Sequence, residues 1–316
     1  MISVVIPVFN GEQVIAKALI SLVKQSNKNF DVIIVDDGSN DATCEKIKRF
    51  SLENKQLKIT LISTPNRGRS IARNIGLINS ANEFVCFLDA DDEFNINHIE
   101  DISNAIVKFP ECNFFFGDSE IVRLDDSWTK HDGFMQRLLN RGDFWIKDGD
   151  YILFNEDFAF HLIEGSLIPM CSTAIRRKTA VEAGLFNLNY SVSEDFEFWF
   201  RLALENVFIG INKKLSTVNH HYDNTSHPSK RFSTIQQQIR VTEHILKNYK
   251  DLSPLMHTKF IEKRESLFSN LLYQASLISS EKVFHILLKA SSKKLWFNFR
   301  WLKLLASRFI NKLKSY

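Results

Sequence analysis

The sequence predicts an α/β protein: a mixed, mostly parallel central sheet flanked by helices, with a helical annex at its C-terminus. Two observations carry this. The first 120 residues alternate short β-rich runs with segments of helical period, the order that joins parallel strands through crossover helices. All eleven glycines lie at or before Gly210, and the remaining stretch holds only Pro228 and Pro254 as breakers, which favours helix over further sheet.

Taken in order, strands are expected at 2–6 (ISVVI), 30–35 (FDVIIV), 57–62 (LKITLI), 83–88 (EFVCFL) and 113–118 (NFFFGD). Several are continuous apolar runs, as expected of strands covered on both faces by helices. Between the first two, Val14, Ile15, Ala18, Leu19, Leu22 and Val23 share one helical face, with Asn10 placed to cap the start. NRGRSIARNIG at 66–76 opens a helix after the third strand. From 120 to 165 the pattern weakens around Gly133, Gly142 and Gly149, and mostly loop is expected, with one short helix near 156–163. Residues 171–223 return to order as a strand, a short helix, the segment EDFEFWFRLALE and two further strands.

A chain of 316 residues with 44% hydrophobic and 24% charged side chains excludes disorder, collagen and coiled-coil rods. Its length suffices to bury about three quarters of the unfolded surface, so a rigid site needs no disulfides. Cys44, Cys86, Cys112 and Cys171 show no paired or metal-ligand spacing, which fits a reducing cytosol. No signal-peptide pattern precedes the first strand, and no run of about 18 apolar residues occurs, so a cytoplasmic protein without membrane spans is expected. The net charge of +3 conceals a division. Residues 1–210 hold 21 basic and 31 acidic side chains (−10), and residues 211–316 hold 19 and 6 (+13).

Acidic clusters fall where strands end. Asp36 and Asp37 close the second strand, and Asp89, Asp91 and Asp92 close the fourth. In open α/β sheets ligands bind outside the carboxyl ends of the strands, so these carboxylates are predicted to converge on one crevice. Such like charge calls for a cation, and all-oxygen ligands suit Mg²⁺ or Mn²⁺. Each cluster alone also fits a turn with helix-capping acids. Between them, Gly68 at a helix N-terminus, with Arg67, Arg69 and Arg73, suits a diphosphate. The alternative is that Arg73 pairs with Asp36 or Asp37. The first strand leads into PVFNGE without a G-x-G-x-x-G, which disfavours dinucleotide binding.

The series SVVIPVFN, VDDGSND, N-x-G-x-x-x-ARN-x-G, FLDADD and SEDFEFWFR resembles the family-2 inverting glycosyltransferases, whose nucleotide-diphospho-sugar-binding domain has the GT-A fold. The resemblance implies a GT-A catalytic domain over 1–225, with nucleotide-sugar binding in 1–120 and the acceptor side in 121–225, followed by a basic helical region at 226–316. It implies that Pro7 and Phe9 lie against the nucleotide base, that Asp37 contacts the base with Asp36 beside it, and that Gly68 and Arg73 belong to the donor site. It also implies that Asp89 lies near ribose and metal, that Asp91 is a direct ligand of Mn²⁺ or Mg²⁺, and that Asp195 takes the proton from the acceptor hydroxyl, with Glu194 in reserve. Inversion is a single displacement, so a base must sit opposite the departing diphosphate. Aromatics of the same helix are alternatively core, with its acids facing water. NHHYDNTS at 219–226 resembles the family's R-x-H-x-x-N-x-S stretch, which makes His221 a metal or phosphate ligand, or a structural histidine, and puts Asn219 where the family carries arginine.

No acid follows Glu281, while nine basic side chains do, and Leu295, Phe299, Leu302, Phe309 and Leu313 share a helical stripe. Residues 282–316 are therefore expected to meet an anionic membrane, or else to pack on the body or on a second copy of the chain as a homo-oligomer. No nucleic-acid motif accompanies the charge. The expected function is transfer from a nucleotide-sugar donor, with UDP-hexose as the default, to a glycan or lipid-linked glycan acceptor at the inner face of a bacterial membrane. A sugar-phosphate nucleotidyltransferase is the enzymatic rival and lacks its G-x-G-T-R loop here. A non-catalytic glycan- or membrane-binding scaffold is the other.

Overall fold

The computed structural model describes residues 1–123, 129–130, 133–142, 145–165, 168–220 and 230–276. The chain divides into two compact units, Met1–His221 and Tyr222–Tyr316.

The first unit opens with β1 (Ile2–Val8), α1 (Ile15–Val23), β2 (Phe30–Asp36), α2 (Thr43–Glu53), β3 (Ile59–Ser63), α3 (Arg69–Asn79) and β4 (Phe84–Phe87). Then come β5 (Glu93–Phe94), α4 (His98–Lys108), β6 (Phe114–Arg123), β7 (Thr129–Lys130), α5 (Phe134–Leu139), β8 (Trp145–Asp148), β9 (Tyr151–Phe154) and α6 (Phe158–Leu162). A 3₁₀ turn (Met170–Ser172), β10 (Thr173–Arg176), α7 (Arg177–Glu182), α8 (Glu194–Ala203) and β11 (Phe208–His220) complete it.

The strands form one sheet in the order β3-β2-β1-β4-β10-β6-β11-β9-β8, with β5 and β7 at its margin. Pairing directions place β3, β2, β1, β4, β6, β11 and β8 in one sense, with β10 and β9 opposed. The sheet is thus mixed and mostly parallel. β1 and β2 are buried at every position, which matches their unbroken apolar runs. Their core continues into Ile15, Ala18, Leu19 and Leu22 of α1 and Ile99 and Ile102 of α4. On the other face α3 lies so close to β1 that a Cβ at Gly76 would stand 2.3 Å from Val5 Cγ1.

Three expectations are corrected. Asn10 does not cap α1: it is left-handed (φ 48°), and its Oδ1 accepts the Asn40 N–H, while the Gly11 carbonyl receives the first helical N–H groups. Residues 120–165 are not mostly loop, because they supply α5 and a β8–β9 hairpin that extends the sheet through β11. The two late strands are one, β11, whose pairing with β6 shifts register around Lys214.

The second unit contains α9 (Arg231–Asn248) and α10 (Pro254–Ser276). Ile235 and Ile239 of α9, spaced i, i+4, meet Phe268, Leu271, Leu272 and Ala275 of α10, spaced i, i+3, i+4, i+7. Among the described residues no helix is long and apolar enough to cross a membrane. Residues 282–316, which carry the nine late basic side chains and the expected apolar stripe, lie outside the described residues.

Candidate donor and acceptor site

β1 has β2 on one side and β4 on the other, so the strand order reverses there and opens a crevice at their carboxyl ends. The parallel register sets Val8 beside Asp36, and the Asp37 N–H donates to the Val8 carbonyl at 2.8 Å. Pro7 is the buried penultimate residue of β1, and Phe9 just beyond it is 50% exposed. Its loop is laced to the next one: Asn10 N–H donates to Ser39 Oγ (2.8 Å) and Gly11 N–H to Thr43 Oγ1 (2.9 Å). An exposed aromatic ring on a tethered loop is a stacking surface.

Asp36 and Asp37 are both buried. Asp36 Oδ1 accepts the Ser39 N–H, and Asp37 accepts the backbone N–H groups of Arg67 (2.9 Å) and Gly68 (2.7 Å). Two of the amides at the mouth of α3, expected to face a diphosphate, are thus bound by Asp37. Gly68 (φ 96°) has nothing within 4 Å of where a Cβ would lie, so it borders open space.

Arg73 pairs with neither Asp36 nor Asp37. Its side chain, 2% exposed, donates from Nη2 to Asp89 Oδ1 (2.7 Å) and from Nη1 to Glu194 Oε1 (2.8 Å). Burial disfavours the charge, but the two carboxylates outweigh it and hold the guanidinium above its ordinary pKa. Burial likewise opposes ionisation of Asp89, which Arg73 overcomes, holding that carboxyl below its usual range.

Ser70 and Asn74 share the Arg73 face of α3 and fasten the segment leading to α8. Ser70 Oγ donates to the Tyr190 carbonyl (3.0 Å), and Asn74 exchanges two hydrogen bonds with the Phe186 backbone (2.8 and 2.9 Å). α8 then starts from Ser193 in a left-handed conformation (φ 62°), a strained entry of the kind found at functional sites. Its Phe196, Phe198, Trp199 and Phe200 are core. Its acids do not all face water, contrary to the amphipathic expectation: Glu194 and Glu197 are buried, bound to Arg73 and Arg201. Asp195 is half-buried, with Oδ1 accepting the Phe196 N–H at 2.7 Å. At the positive end of the helix dipole a carboxylate is favoured.

Asp89 remains 29% exposed, and Asp91 is half-buried. Asp89, Asp92 and Cys171 present atoms within 4.8 Å of one another. Burial, then the charges of Asp91 and Asp89, push Asp92 well above the usual carboxyl range, and burial, then the charge of Asp92, raises the Cys171 thiol. The thiol donates to Asp92 Oδ2 (3.0 Å), so these two form a hydrogen-bonded pair, and the carboxylates of Asp89 and Asp91 on the same loop are ligands of the hard oxygen type. That donor chemistry fits Mg²⁺ or Mn²⁺. His221 lies outside the described residues. The structure thus gathers Phe9, Asp36, Asp37, Gly68, Arg73, Asp89, Asp91, Glu194 and Asp195 around the ends of β1, β2 and β4 and the head of α8. Sequence reasoning passed over Cys171, a lone cysteine with no motif; the asparagine at 219 in place of arginine was the available signal for that position.

The family model for glycosyl transferase family 2 matches residues 3–180, more than half the chain. The chain belongs to that family. A relative named an uncharacterized glycosyltransferase, from Rickettsia bellii, is 30% identical over 250 residues, 78% of this chain and 32% of the relative, so the chain spans about a third of that protein. The Escherichia coli UDP-Glc:alpha-D-GlcNAc-diphosphoundecaprenol beta-1,3-glucosyltransferase WfgD is 23% identical over 78% of this chain and 87% of its own. Among solved structures, the mannosyltransferase PcManGT from Pyrobaculum calidifontis, in complex with GDP-Man and Mn²⁺, superimposes with a TM-score of 0.59 at 16% identity, over 96% of this chain and 84% of that one. The fold is the family's GT-A arrangement.

Proposed function

We propose that this family-2 chain is a metal-dependent, inverting glycosyltransferase. It moves a sugar, by default the hexose of a UDP-hexose, to a hydroxyl of a glycan or lipid-linked glycan in bacterial surface-polysaccharide synthesis. One observation carries the proposal: Arg73 binds Asp89 at the end of β4 and Glu194 at the head of α8, which brings the proposed donor carboxylate near the helix start that bears the proposed base. The lipid-linked acceptor and UDP are supported by what WfgD is named for, and the cation by the PcManGT complex.

In this mechanism Phe9 stacks on the base and Asp37, with Asp36 beside it, orients it. Asp89 and Asp91 are the carboxylates that would hold Mn²⁺ or Mg²⁺, which when bound neutralises the diphosphate leaving group. Asp195 accepts the acceptor hydroxyl's proton as the oxygen bonds to the anomeric carbon and the bond from that carbon to the diphosphate oxygen breaks. Glu194 is committed to Arg73, which favours Asp195 over it as the base.

Asp195→Asn should keep nucleotide binding with Mn²⁺ and lose transfer by about 10²–10⁴-fold, the usual scale for general-base removal. Asp91→Asn should instead lose the Mn²⁺-dependent part of the affinity. Calorimetry with UDP and transfer assays separate the two, and near-normal transfer by Asp195→Asn would overturn the assignment of the base.

A further inference from the structure

The acid loop Asp89–Asp92 is fastened by two residues that take no part in the proposed chemistry. Cys171, 1% exposed, lies in the 3₁₀ turn before β10, the strand next to β4. Its Sγ accepts the Asp89 backbone N–H (3.3 Å), and its S–H donates to Asp92 Oδ2 (3.0 Å). Asn219 stands near the end of β11, which pairs with β5 just after the loop. Its backbone N–H donates to Asp92 Oδ1 (2.9 Å), and its Nδ2 donates to the Asp91 carbonyl (2.9 Å) and to Glu93 Oε1 (3.3 Å). Both oxygens of the buried Asp92 are therefore bound, and the loop is held at Asp89, Asp91 and Asp92 from two separate elements, the 3₁₀ turn before β10 and the end of β11. A thiol serves here because it accepts one hydrogen bond and donates another at a buried place, where losing both would leave an amide and a carboxylate oxygen unsatisfied.

We propose that Cys171 and Asn219 are positioning residues that hold the acid loop in the geometry with which Asp89 and Asp91 receive a nucleotide diphosphate and its cation. The proposal rests on the transferase reading above. It also accounts for asparagine where the resembled motif carries arginine, because the side-chain amide is engaged with the loop.

The test uses the full chain and its Cys171→Ala, Cys171→Ser and Asn219→Ala variants. Hydrogen exchange over residues 88–94 reports the loop, and calorimetry with UDP, with and without Mn²⁺, reports the site. Cys171→Ala and Asn219→Ala should each speed exchange of the loop amides by about tenfold, the scale of one lost hydrogen bond, and weaken Mn²⁺-dependent UDP affinity by about fivefold or more. Cys171→Ser, whose hydroxyl keeps both bonds, should stay within about twofold of the native chain on both counts. Native exchange in Cys171→Ala and Asn219→Ala overturns the proposal, and so does a loosened loop with unchanged Mn²⁺-dependent affinity. If the native chain binds no UDP with Mn²⁺, the UDP-dependent part of the proposed function fails instead, and the exchange rates alone decide the clamp.

Discussion

Arg73 is the residue on which the site's electrostatics turn. A buried guanidinium between two carboxylates is tolerable only as a set, because removing one partner leaves uncompensated charge. Arg73→Met should destabilise the chain by about 3–5 kcal/mol, seen as a lower urea midpoint, and Arg73→Lys should not restore it, since one ammonium does not reproduce the two-ended fork. A second residue makes stability depend on pH. His98 is fully buried, stacked on Phe94 with ring centroids 3.5 Å apart, and hydrogen-bonded through Nδ1 to the Leu215 carbonyl. Burial pulls its pKa from 6.5 down to about 4, with the Leu215 bond opposing. Between those values the unfolded chain binds a proton that the native chain refuses, so stability falls as pH drops from 6.5 toward 4, by an amount on the order of 3 kcal/mol. His98→Gln should remove that part of the slope in urea titrations across the window; an unchanged slope would count against it. Acids at strand ends were legible from the sequence because turns after parallel strands are local. The partners of Arg73 were not, since 121 residues separate it from Glu194.

At the level of elements, legibility followed burial. β1, β2 and β4 are covered on both faces, and their apolar runs announce them. β8 and β9 lie at the sheet's end, where Ile146, Lys147 and Asp148 are exposed and the turn runs through Gly149, so their pattern is that of a loop. β11 reads as two strands in the sequence; in the structure its polar run Asn212–Lys214 is where the register slips and the lysines reach Asp101 and Glu120. The contact between α3 and β1 makes a sharper prediction. Gly76→Ala forces a methyl into Val5 and should cost about 1–3 kcal/mol, with a shifted urea midpoint and an unchanged m value. Gly68→Ala meets no atoms, so its penalty would come from φ alone.

Across the whole molecule, the small net charge is a cancellation between an acidic body that holds the proposed donor carboxylates and a basic C-terminal region. Residues 282–316 should carry the chain to anionic liposomes. Flotation of the full chain and of a chain ending at 281 checks this, and equal binding, or none, ends the idea. The strand order has another consequence, for how the molecule comes into being. In the sheet path β6 lies between β10 and β11, both of which follow it in the chain. During synthesis the ribosome therefore releases Phe114, Phe115 and Phe116, all destined for the core, long before Thr173 and Phe208 arrive to cover them. A nascent strand of three consecutive phenylalanines with late partners is a sticky intermediate, and the yield of soluble protein depends on how quickly the later strands are made or on what shields that strand meanwhile.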